Sequence, residues 1–496
     1  MKGKTHMKQN YAQKARLTAL FFAFLLCTPI FVSCVEDTPT AETSGTTVTE
    51  TTAETEEETA YTADYLPDVT YDGYEYRLIA YEEYPAHMTE PSGDLVDDAI
   101  YTRNMMVAEK YDVNFVETRY PYTNYNDVNT LMTNAGRAQS DDFDLAKLVF
   151  RHAFTGVTSG YIPAASNMPV IDMTKPWYVQ KMNEKMVVDG VAMLAYTTFD
   201  KNPGGASIIF NKDMLIDLGL EVPYQMVYDG TWTYDVMYSM AEAAILDVDG
   251  DGTMQEGDRF GFIAEWDNMT DLTYMGSGLA LMDFTRTPPE LSQNEQLFDM
   301  FSMFIRYGSQ KGFLFNTFGA YGAAESSRIL GNQYFMQGGS LFMQRGTNTL
   351  TTLGDMEDDY GIVPFPKWTA DQDGYYVGLD GSRIAVPLAC SADLERVCVI
   401  KEALAVESLN INHPSYYENT LTKRYVRDTE SIDMLEIITN SNMIDFGASL
   451  WSDIVRAPWM GCIEKNNADF ASAIAAKVSQ SEKAVQELMD IVADLK

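Results

Sequence analysis

From about residue 70 onward, short apolar runs alternate with longer segments in which apolar residues recur at helical spacing. The runs Tyr76–Ala80, Val113–Thr118 and Asp144–Val149 have the length and the apolar content of β-strands. Between them, Asp97–Lys110 and Asp127–Arg137 carry apolar residues with the period of an α-helix. Strands that alternate with helices along a chain predict the α/β fold class.

The same alternation continues toward the C-terminus. The segment SRIAVPLAC predicts a buried strand, and a predicted helix at Asp393–Ser408 follows it. Asp469–Leu495 has the pattern of an amphipathic helix that packs against a lobe. Because one hydrophobic core rarely grows past about 250–300 residues, the globular part from Tyr71 to Lys496 is expected to form two lobes.

The N-terminus has a different pattern, in which five basic residues and no acid precede a single apolar run. This run, Leu17–Val32, is interrupted by Thr28 and Pro29. It is also shorter than the roughly 20 residues of a membrane-spanning helix. A basic segment followed by a short apolar run is typical of a secretion signal. Residues 1–33 are therefore predicted to be a signal peptide.

The predicted signal ends at Ser33 and Cys34, a pair that resembles the lipobox of bacterial lipoproteins. In that motif, cleavage frees the cysteine for attachment of a diacylglycerol. Phe31 stands three residues before Cys34, where leucine is usual. We expect Cys34 to be the lipidation site, and the alternative is an ordinary signal peptide that leaves Cys34 free.

Residues 34–69 are dense in threonine and glutamate and contain no lysine or arginine. Such a segment buries too little apolar surface to offset the entropy lost on ordering, so we predict a disordered acidic tether. A lipid on Cys34 with this tether behind it would hold the folded part at the extracellular face of the cell membrane.

The chain carries 72 acidic and 35 basic side chains and a formal net charge of −37. A charge of this size and sign excludes nonspecific binding to nucleic acid or to anionic lipid headgroups. Cys390, Cys398 and Cys462 form no CxxC motif and are predicted to be small core residues. We expect a monomer with no nucleic-acid partner.

Motifs for catalysis are missing from the sequence. There is no HExxH zinc motif, no GxSxG nucleophile elbow and no glycine-rich phosphate loop. We therefore expect no catalytic residues and no enzyme activity. The abundance of acids leaves open a paired-carboxylate site, as in a glycoside-active enzyme, as an alternative.

A twelve-residue loop, DVDGDGTMQEGD at residues 247–258, carries oxygen-bearing side chains at the spacing of a calcium loop. Gly252 permits the sharp turn that brings the two halves of the loop together. Asp replaces the usual Glu at the last position, and a solvated acidic turn is the alternative. We predict a structural Ca²⁺ whose ligands are Asp247, Asp249, Asp251, Thr253, Gln255 and Asp258.

Five motifs occur in the order FNKDMLIDLGL, TWTYD, DVDGDG, DRFGF and YGIVPFPK. Together with the lipobox-like start, they resemble an extracellular solute-binding lipoprotein of an ABC importer, of the family 1 type that binds sugars and oligosaccharides. The resemblance covers most of the chain from about residue 70. It implies a two-lobed, periplasmic-binding-protein-like (type II) fold with hinge-crossing strands. Lobe 1 would comprise residues 70–198 and 372–412, and lobe 2 residues 205–367 and 416–496.

The resemblance further implies that a carbohydrate is held between the lobes and delivered to the ABC permease subunits by closure of the cleft. Two other functions stay open from the sequence. The first is a surface-anchored enzyme that acts on glycosides, and the second is a surface lipoprotein without a transport role.

Ligands gather at the carboxyl ends of strands in open α/β sheets, which favours Glu82–Tyr84, Arg151–His152 and Tyr196–Asp200. Sugars present CH faces to aromatic rings, and their hydroxyls bond carboxylates and arginine. The candidate ligand-binding residues are Tyr84, Arg151, Asp200, Trp266, Arg345 and Trp451. For each of them, structural packing is the alternative.

Overall fold

The computed structural model describes residues 60–121, 124–200, 205–322, 324–378, 383–389, 391–416 and 426–496. Within these ranges, the side chains of residues 266–268, 324 and 325 are not described. The predicted signal peptide, Cys34 and most of the predicted tether lie outside the described residues.

The described strands, in chain order, are β1 Tyr74–Tyr81, β2 Val113–Tyr120, β3 Leu145–Val149, β4 Val187–Val188, β5 Val191–Ala192, β6 Ala206–Asn211, β7 Phe260–Ala264, β8 Met282–Asp283, β9 Glu290–Leu291, β10 Leu314–Asn316, β11 Ser340–Gly346, β12 Tyr360–Val363, β13 Val377–Gly378, β14 Arg383–Pro387 and β15 Asn442–Met443. The described α-helices are Leu95–Tyr111, Tyr125–Ala138, Phe150–Thr158, Gln180–Glu184, Lys212–Asp217, Tyr224–Tyr228, Tyr234–Ala244, Trp266–Gly276, Glu295–Gly308, Thr317–Tyr321, Ala324–Met336, Leu394–Glu407, His413–Ser415, Thr429–Asn440, Phe446–Leu450, Ser452–Val455, Ala457–Glu464, Phe470–Ala475 and Val478–Leu495. This mixture of helices and strands confirms the predicted α/β class.

The first sheet has the strand order β14–β3–β1–β2. Strand β1 runs parallel to both β2 and β3, and β14 runs antiparallel to β3. Side chains alternate along β1, so that Leu78 and Ala80 enter one hydrophobic core while Ile79 and Tyr81 enter the core on the other face. The sheet is therefore covered on both sides, as parallel sheets usually are.

The second sheet has the strand order β10–β7–β11–β6–β12. Strands β10, β7 and β11 are parallel, whereas β6 is antiparallel to both of its neighbours. Its largest core includes Trp232, whose indole N–H donates to the carbonyl of Pro364 at 3.0 Å. The two separate sheets give the molecule two lobes, one built on each sheet.

The helix Leu95–Tyr111 begins one position after Asp94, whose carboxylate accepts hydrogen bonds from the N–H groups of Val96 and Asp97. It ends at Asp112, whose left-handed φ of 48° cannot continue the helix. This helix packs its buried face against the first sheet, which brings the loop after β1 and the helix start to one edge of the lobe.

The predicted C-terminal helix Asp469–Leu495 is divided in the structure into Phe470–Ala475 and Val478–Leu495. The division falls where the N–H of Lys477 donates to the carbonyl of Ile474 at 2.8 Å, three residues earlier, and the chain turns. The longer helix contacts both cores, since Val485 packs with the second sheet and Leu488 and Val492 pack with the first. The lobe boundaries proposed from the sequence stay predictions.

The chain leaves the first sheet after β3 and enters the second at β6, and it returns from β12 of the second sheet to β14 of the first. Near this passage, β13 pairs in parallel with β15 as a separate two-stranded sheet. Within the described ranges, no helix combines the length and the apolar character that crossing a membrane requires.

Candidate functional site: a cleft between the two sheets

A cleft with a cavity volume of about 540 Å³ lies between the two sheets. On the side of the first sheet its wall includes the loop Glu83–Ala86 after β1, the first turns of the helix Leu95–Tyr111, and Lys147 on β3. On the side of the second sheet it includes the start of β6 and the end of β11. The position at strand ends is the one where open α/β sheets bind ligands.

Tyr84 and Asp200 are the two predicted ligand-binding residues that line this cleft. Tyr84 is half-buried, and the guanidinium carbon of Arg383 lies 3.1 Å from the centre of its ring. That cation–π contact covers one face of the tyrosine ring. Sequence reasoning therefore located this corner of the cleft, and the structure adds Arg383 to it.

Asp200 is buried, and its carboxylate accepts three hydrogen bonds from the protein. The donors are the N–H and the hydroxyl of Thr197, both at 2.9 Å, and the N–H of Ala385 at 2.6 Å. Burial raises the pKa of Asp200, while a nearby Lys401 and these hydrogen bonds oppose that rise. The residue thus ties the crossing segment to β14, in addition to bordering the cleft.

Arg345 lies on β11 but does not line the cleft. Successive side chains of a strand point to opposite faces, so the neighbouring Gln344 borders the cleft and Arg345 points into lobe 2. Arg345 is buried and donates to Asn332 Oδ1 at 3.1 Å and to the carbonyl of Ser327 at 3.3 Å. Burial lowers the pKa of this arginine, which is held by neutral partners.

Arg151 and Trp451 do not line the cleft wall. Arg151 is exposed at the start of the helix Phe150–Thr158, with its guanidinium 4.8 Å from the ring centre of Tyr125. Trp451 is half-buried and stacks on Phe284 with ring centres 6.4 Å apart. Trp266 begins the helix Trp266–Gly276, and its side chain lies outside the described parts.

Aromatic rings in the cleft are supplied by tyrosine and phenylalanine. Tyr196, Phe199 and Tyr416 line it and are largely buried. The first two belong to the segment Tyr196–Asp200, which the strand-end rule selects from the sequence. Tyr416 follows a π-helical turn at Ser408–Asn412, and no motif in the sequence points to it.

Two amide side chains in the cleft wall have an oxygen with no hydrogen-bond partner. Gln344 Oε1 and Asn412 Oδ1 are buried, and neither atom receives a hydrogen bond from the part of the chain that the structure describes. Buried polar groups nearly always have a partner. A polar ligand in the cleft would provide one for both amides.

Sequence reasoning missed the basic residues of the cleft. Arg103 is only 3% exposed and donates to the carbonyl of Ala86 at 2.6 Å, to Asn104 Oδ1 at 2.7 Å and to the hydroxyl of Ser408 at 3.2 Å. Burial lowers the pKa of Arg103 to about 9. Lys147 is partly buried on β3, and desolvation lowers the pKa of its amine to about 8.

Both basic residues leave a trace in the sequence. Lys147 is the single charged residue of LAKLV, a strand that is otherwise apolar. Arg103 shares the buried side of its helix with Ala99, Val107 and Tyr111. A charged residue inside an apolar pattern is the signal that could have identified each of them.

The Asp-rich loop lies away from the cleft, between the helix Tyr234–Ala244 and β7. Carboxylate oxygens of Asp247, Asp249 and Asp258 lie within 4.8 Å of one another, and Asp258 is buried. The amide nitrogen of Gln255 lies 3.3 Å from Asp251 Oδ2, on the same side of the loop. The side chains predicted to bind the ion all carry oxygen atoms, the ligands that Ca²⁺ prefers, so the residues fit that ion.

Comparison with known proteins gives the same fold. An ABC substrate-binding protein from Listeria monocytogenes in complex with cycloalternan is 12% identical, has a TM-score of 0.54, and covers 84% of this chain and 100% of its own. A sugar transporter from Rhizobium etli, in an open conformation, is 15% identical with a TM-score of 0.53, covering 85% and 100%. The chain has the two-lobed fold of ABC solute-binding proteins.

The maltose/maltodextrin-binding domain from Bdellovibrio bacteriovorus, bound to maltotriose, has the same fold at 12% identity and a TM-score of 0.51, covering 83% of this chain and 100% of its own. No protein-family model matches the sequence, and no curated protein matches it. These three neighbours are described as binding or transport proteins.

Proposed function

We propose that this protein is a lipid-anchored, extracellular solute-binding protein that captures a carbohydrate in the cleft and delivers it to an ABC permease. The observation that carries the proposal is the cleft, which both lobes line and which contains two buried amide oxygens without a partner. Proteins of the same fold were solved with cycloalternan and with maltotriose, and both ligands are saccharides.

The chemistry of the cleft suits a saccharide. The rings of Tyr196, Phe199 and Tyr416 offer apolar contact to the CH faces of a sugar. Gln344 and Asn412 offer acceptors to its hydroxyl groups. A cavity of about 540 Å³ falls in the range of sites that enclose a small ligand.

Delivery would depend on closure of the cleft. A ligand that touches both lobes binds the closed form more tightly than the open form, and it shifts the population by that difference in affinity. The permease subunits would then recognise the closed form. The proposed lipid on Cys34 would keep the protein, as a monomer, at the extracellular face of the cell membrane where the permease lies.

Calorimetric titration with a panel of neutral and acidic mono- and oligosaccharides tests the proposed function. We expect at least one saccharide to bind with a Kd in the micromolar range or tighter. Peptides and polyamines serve as ligands of other classes. Binding of a member of these classes, with no response to any saccharide, would contradict the proposal.

We also propose that the loop at residues 247–258 holds a structural Ca²⁺. The support is the spacing of its acidic residues and the approach of three carboxylates to within 4.8 Å. The ion would neutralise clustered carboxylates and stiffen the turn between the helix Tyr234–Ala244 and β7. It would take no part in ligand binding, because none of these residues borders the cleft.

A further inference from the structure

We infer that the ligand is an acidic saccharide, and that Lys147 and Arg103 recognise its negatively charged substituent. This inference rests on the proposed function and names the class of sugar. Carboxylates of uronic acids and phosphate groups of sugar phosphates are the two sources of such a charge.

Both cations border the cleft, and neither forms an ion pair with a carboxylate of the described residues. Arg103 donates only to neutral acceptors. They are the carbonyl oxygen of Ala86, the amide oxygen of Asn104 and the hydroxyl of Ser408. Lys147 forms no hydrogen bond or ion pair with the described residues, and its amine lies 5.9 Å from the ring centre of Phe199. A buried cation without a counter-charge is costly, and it normally has a partner.

Asp200 and Asp97, two acids that line the cleft, have hydrogen-bond partners other than the cations. Asp200 uses its carboxylate on the N–H groups of Thr197 and Ala385, although its charge still acts on Lys147 at longer range. Asp97 accepts a hydrogen bond from the hydroxyl of Ser92 at the edge of the lobe. Neither acid forms an ion pair with Lys147 or Arg103. Glu117, whose charge acts on both cations at longer range, is paired with Arg119 and accepts a hydrogen bond from the N–H of Ala86. Glu83 also lines the cleft.

The two cations lie in the same part of the cleft wall, beside Phe199. Both lie close to the ring of Phe199, with the guanidinium of Arg103 4.7 Å from its centre and the amine of Lys147 5.9 Å from the same point. An anionic group that approaches this ring can therefore meet both cations at once. A bond from either cation to a neutral hydroxyl group is already strengthened by one charge, and an anionic acceptor adds the attraction between opposite charges. We therefore expect the charge of the ligand to dominate selectivity.

The chain has a formal net charge of −37, which repels anionic ligands at long range. The cations in the cleft of such an acidic protein therefore act on an anionic group only at short range. Water and salt screen the attraction between charges in a partly dehydrated cleft less than they screen the repulsion from charges on the surface. Binding of an anionic group therefore remains favourable in the cleft.

Matched ligands that differ only in charge test this inference. Oligomers of galacturonate, glucuronate and mannuronate are titrated beside their neutral methyl esters, and sugar phosphates beside the parent sugars. Free Ca²⁺ is held constant because it binds uronates. We expect one acidic form to bind about tenfold or more tightly than its neutral counterpart, with an affinity that falls as salt rises.

Variants assign the preference to the cleft. Lys147→Gln should remove most of the preference for the acidic form, and Lys147→Arg should retain it. Lys483→Gln, which removes the same charge from an exposed position on the last helix, should bind like the wild type. If Lys147→Gln does not fold, two measurements still test the assignment. They are the salt dependence of the wild-type preference for the acidic form, and the preference measured for Lys147→Arg.

The outcomes separate this inference from the proposed function. Equal or tighter binding of the neutral forms overturns the acidic ligand and leaves a saccharide-binding protein in place. An acidic preference that survives Lys147→Gln also overturns the assignment. If no saccharide binds, the proposed function is overturned, and the inference that rests on it is overturned as well.

Discussion

Arg103, Lys147 and Asp200 each bring a charge to the wall of the cleft, and Arg103 and Asp200 are buried there. Asp200 is satisfied by hydrogen bonds from the protein, whereas the two cations have only neutral partners or an aromatic ring. The acid therefore serves to hold the segment that crosses between lobes, and the cations are left to interact with a ligand. A charged residue of the cleft wall thus has a structural or a binding role according to its partners.

His152 should make the stability of the first lobe depend on pH. It is buried, packs 5.8 Å from the ring centre of Tyr125, and its Nδ1 lacks a partner among the described residues. Burial, with a smaller effect of Arg151, lowers the pKa of His152 from 6.5 to about 4. The unfolded chain then binds the proton more readily, so stability is complete above about pH 6.5 and falls as the pH drops toward 4.

Urea unfolding at about pH 7.5 and pH 5 measures this effect. The loss of unfolding free energy between the two pH values should be smaller for His152→Gln than for the wild type. The pKa of His87 is lowered to about 4 as well, by burial and by Arg103 and Arg119, so part of the loss should remain in the variant. An equal loss in wild type and variant would exclude His152 as a cause.

At the scale of single elements, strand β11 separates two roles by alternation. Gln344 borders the cleft with an unpartnered amide oxygen, and Arg345 is buried in lobe 2 with three hydrogen bonds. The sequence SLFMQRG by itself does not show which of two adjacent polar residues faces the other lobe. A shift of one residue in that assignment moves the predicted site to the wrong face.

Alanine variants of these two neighbours should therefore differ in kind. Gln344→Ala should weaken saccharide binding by about threefold to tenfold, the effect of one hydrogen bond, and leave unfolding nearly unchanged. Arg345→Ala should lower the unfolding free energy by about 2–4 kcal/mol, because it leaves buried acceptors without a donor. Calorimetry and urea unfolding on both variants check this, and the reverse pattern would refute the assigned orientation.

The loop at residues 247–258 supports a second prediction at this scale. A chelator should lower the melting temperature of the wild type, since a bound ion at about 100 times its Kd contributes about 2.7 kcal/mol. Asp249→Ala should melt at the same temperature with and without chelator. Glu487→Ala, which removes an exposed acid from the last helix, should respond like the wild type. A wild type that is indifferent to chelator would show that the loop is a solvated turn.

At the scale of the whole molecule, the fold was predictable and most of the cleft was not. Helix and strand periods are local, so β1 and the helix Leu95–Tyr111 emerge from the pattern with ends shifted by a few residues. The cleft instead joins residues distant in the chain, such as Arg103, Lys147 and Gln344. Only the strand-end rule reaches across that distance. It selected Tyr84, which follows a strand recognisable in the sequence, and the segment Tyr196–Asp200.

Closure of the two lobes is the property that distinguishes a transport receptor from a static surface lipoprotein. The cleft wall is divided between the lobes, so a ligand bound there gains its full contacts only when the lobes approach. Small-angle scattering should show a smaller radius of gyration when the tightest-binding saccharide is present at saturation. A saccharide that gives no heat in calorimetry should leave the radius unchanged.

The variant Gln344→Ala provides the control for this experiment. It should need more saccharide than the wild type to contract, yet reach the same radius at saturation, because the substitution weakens one contact and leaves the links between the lobes intact. Contraction that follows occupancy in both proteins would couple closure to binding. Tight binding with a constant radius in the wild type would instead mean that the ligand selects no closed form, and the permease would then need another signal for the loaded state.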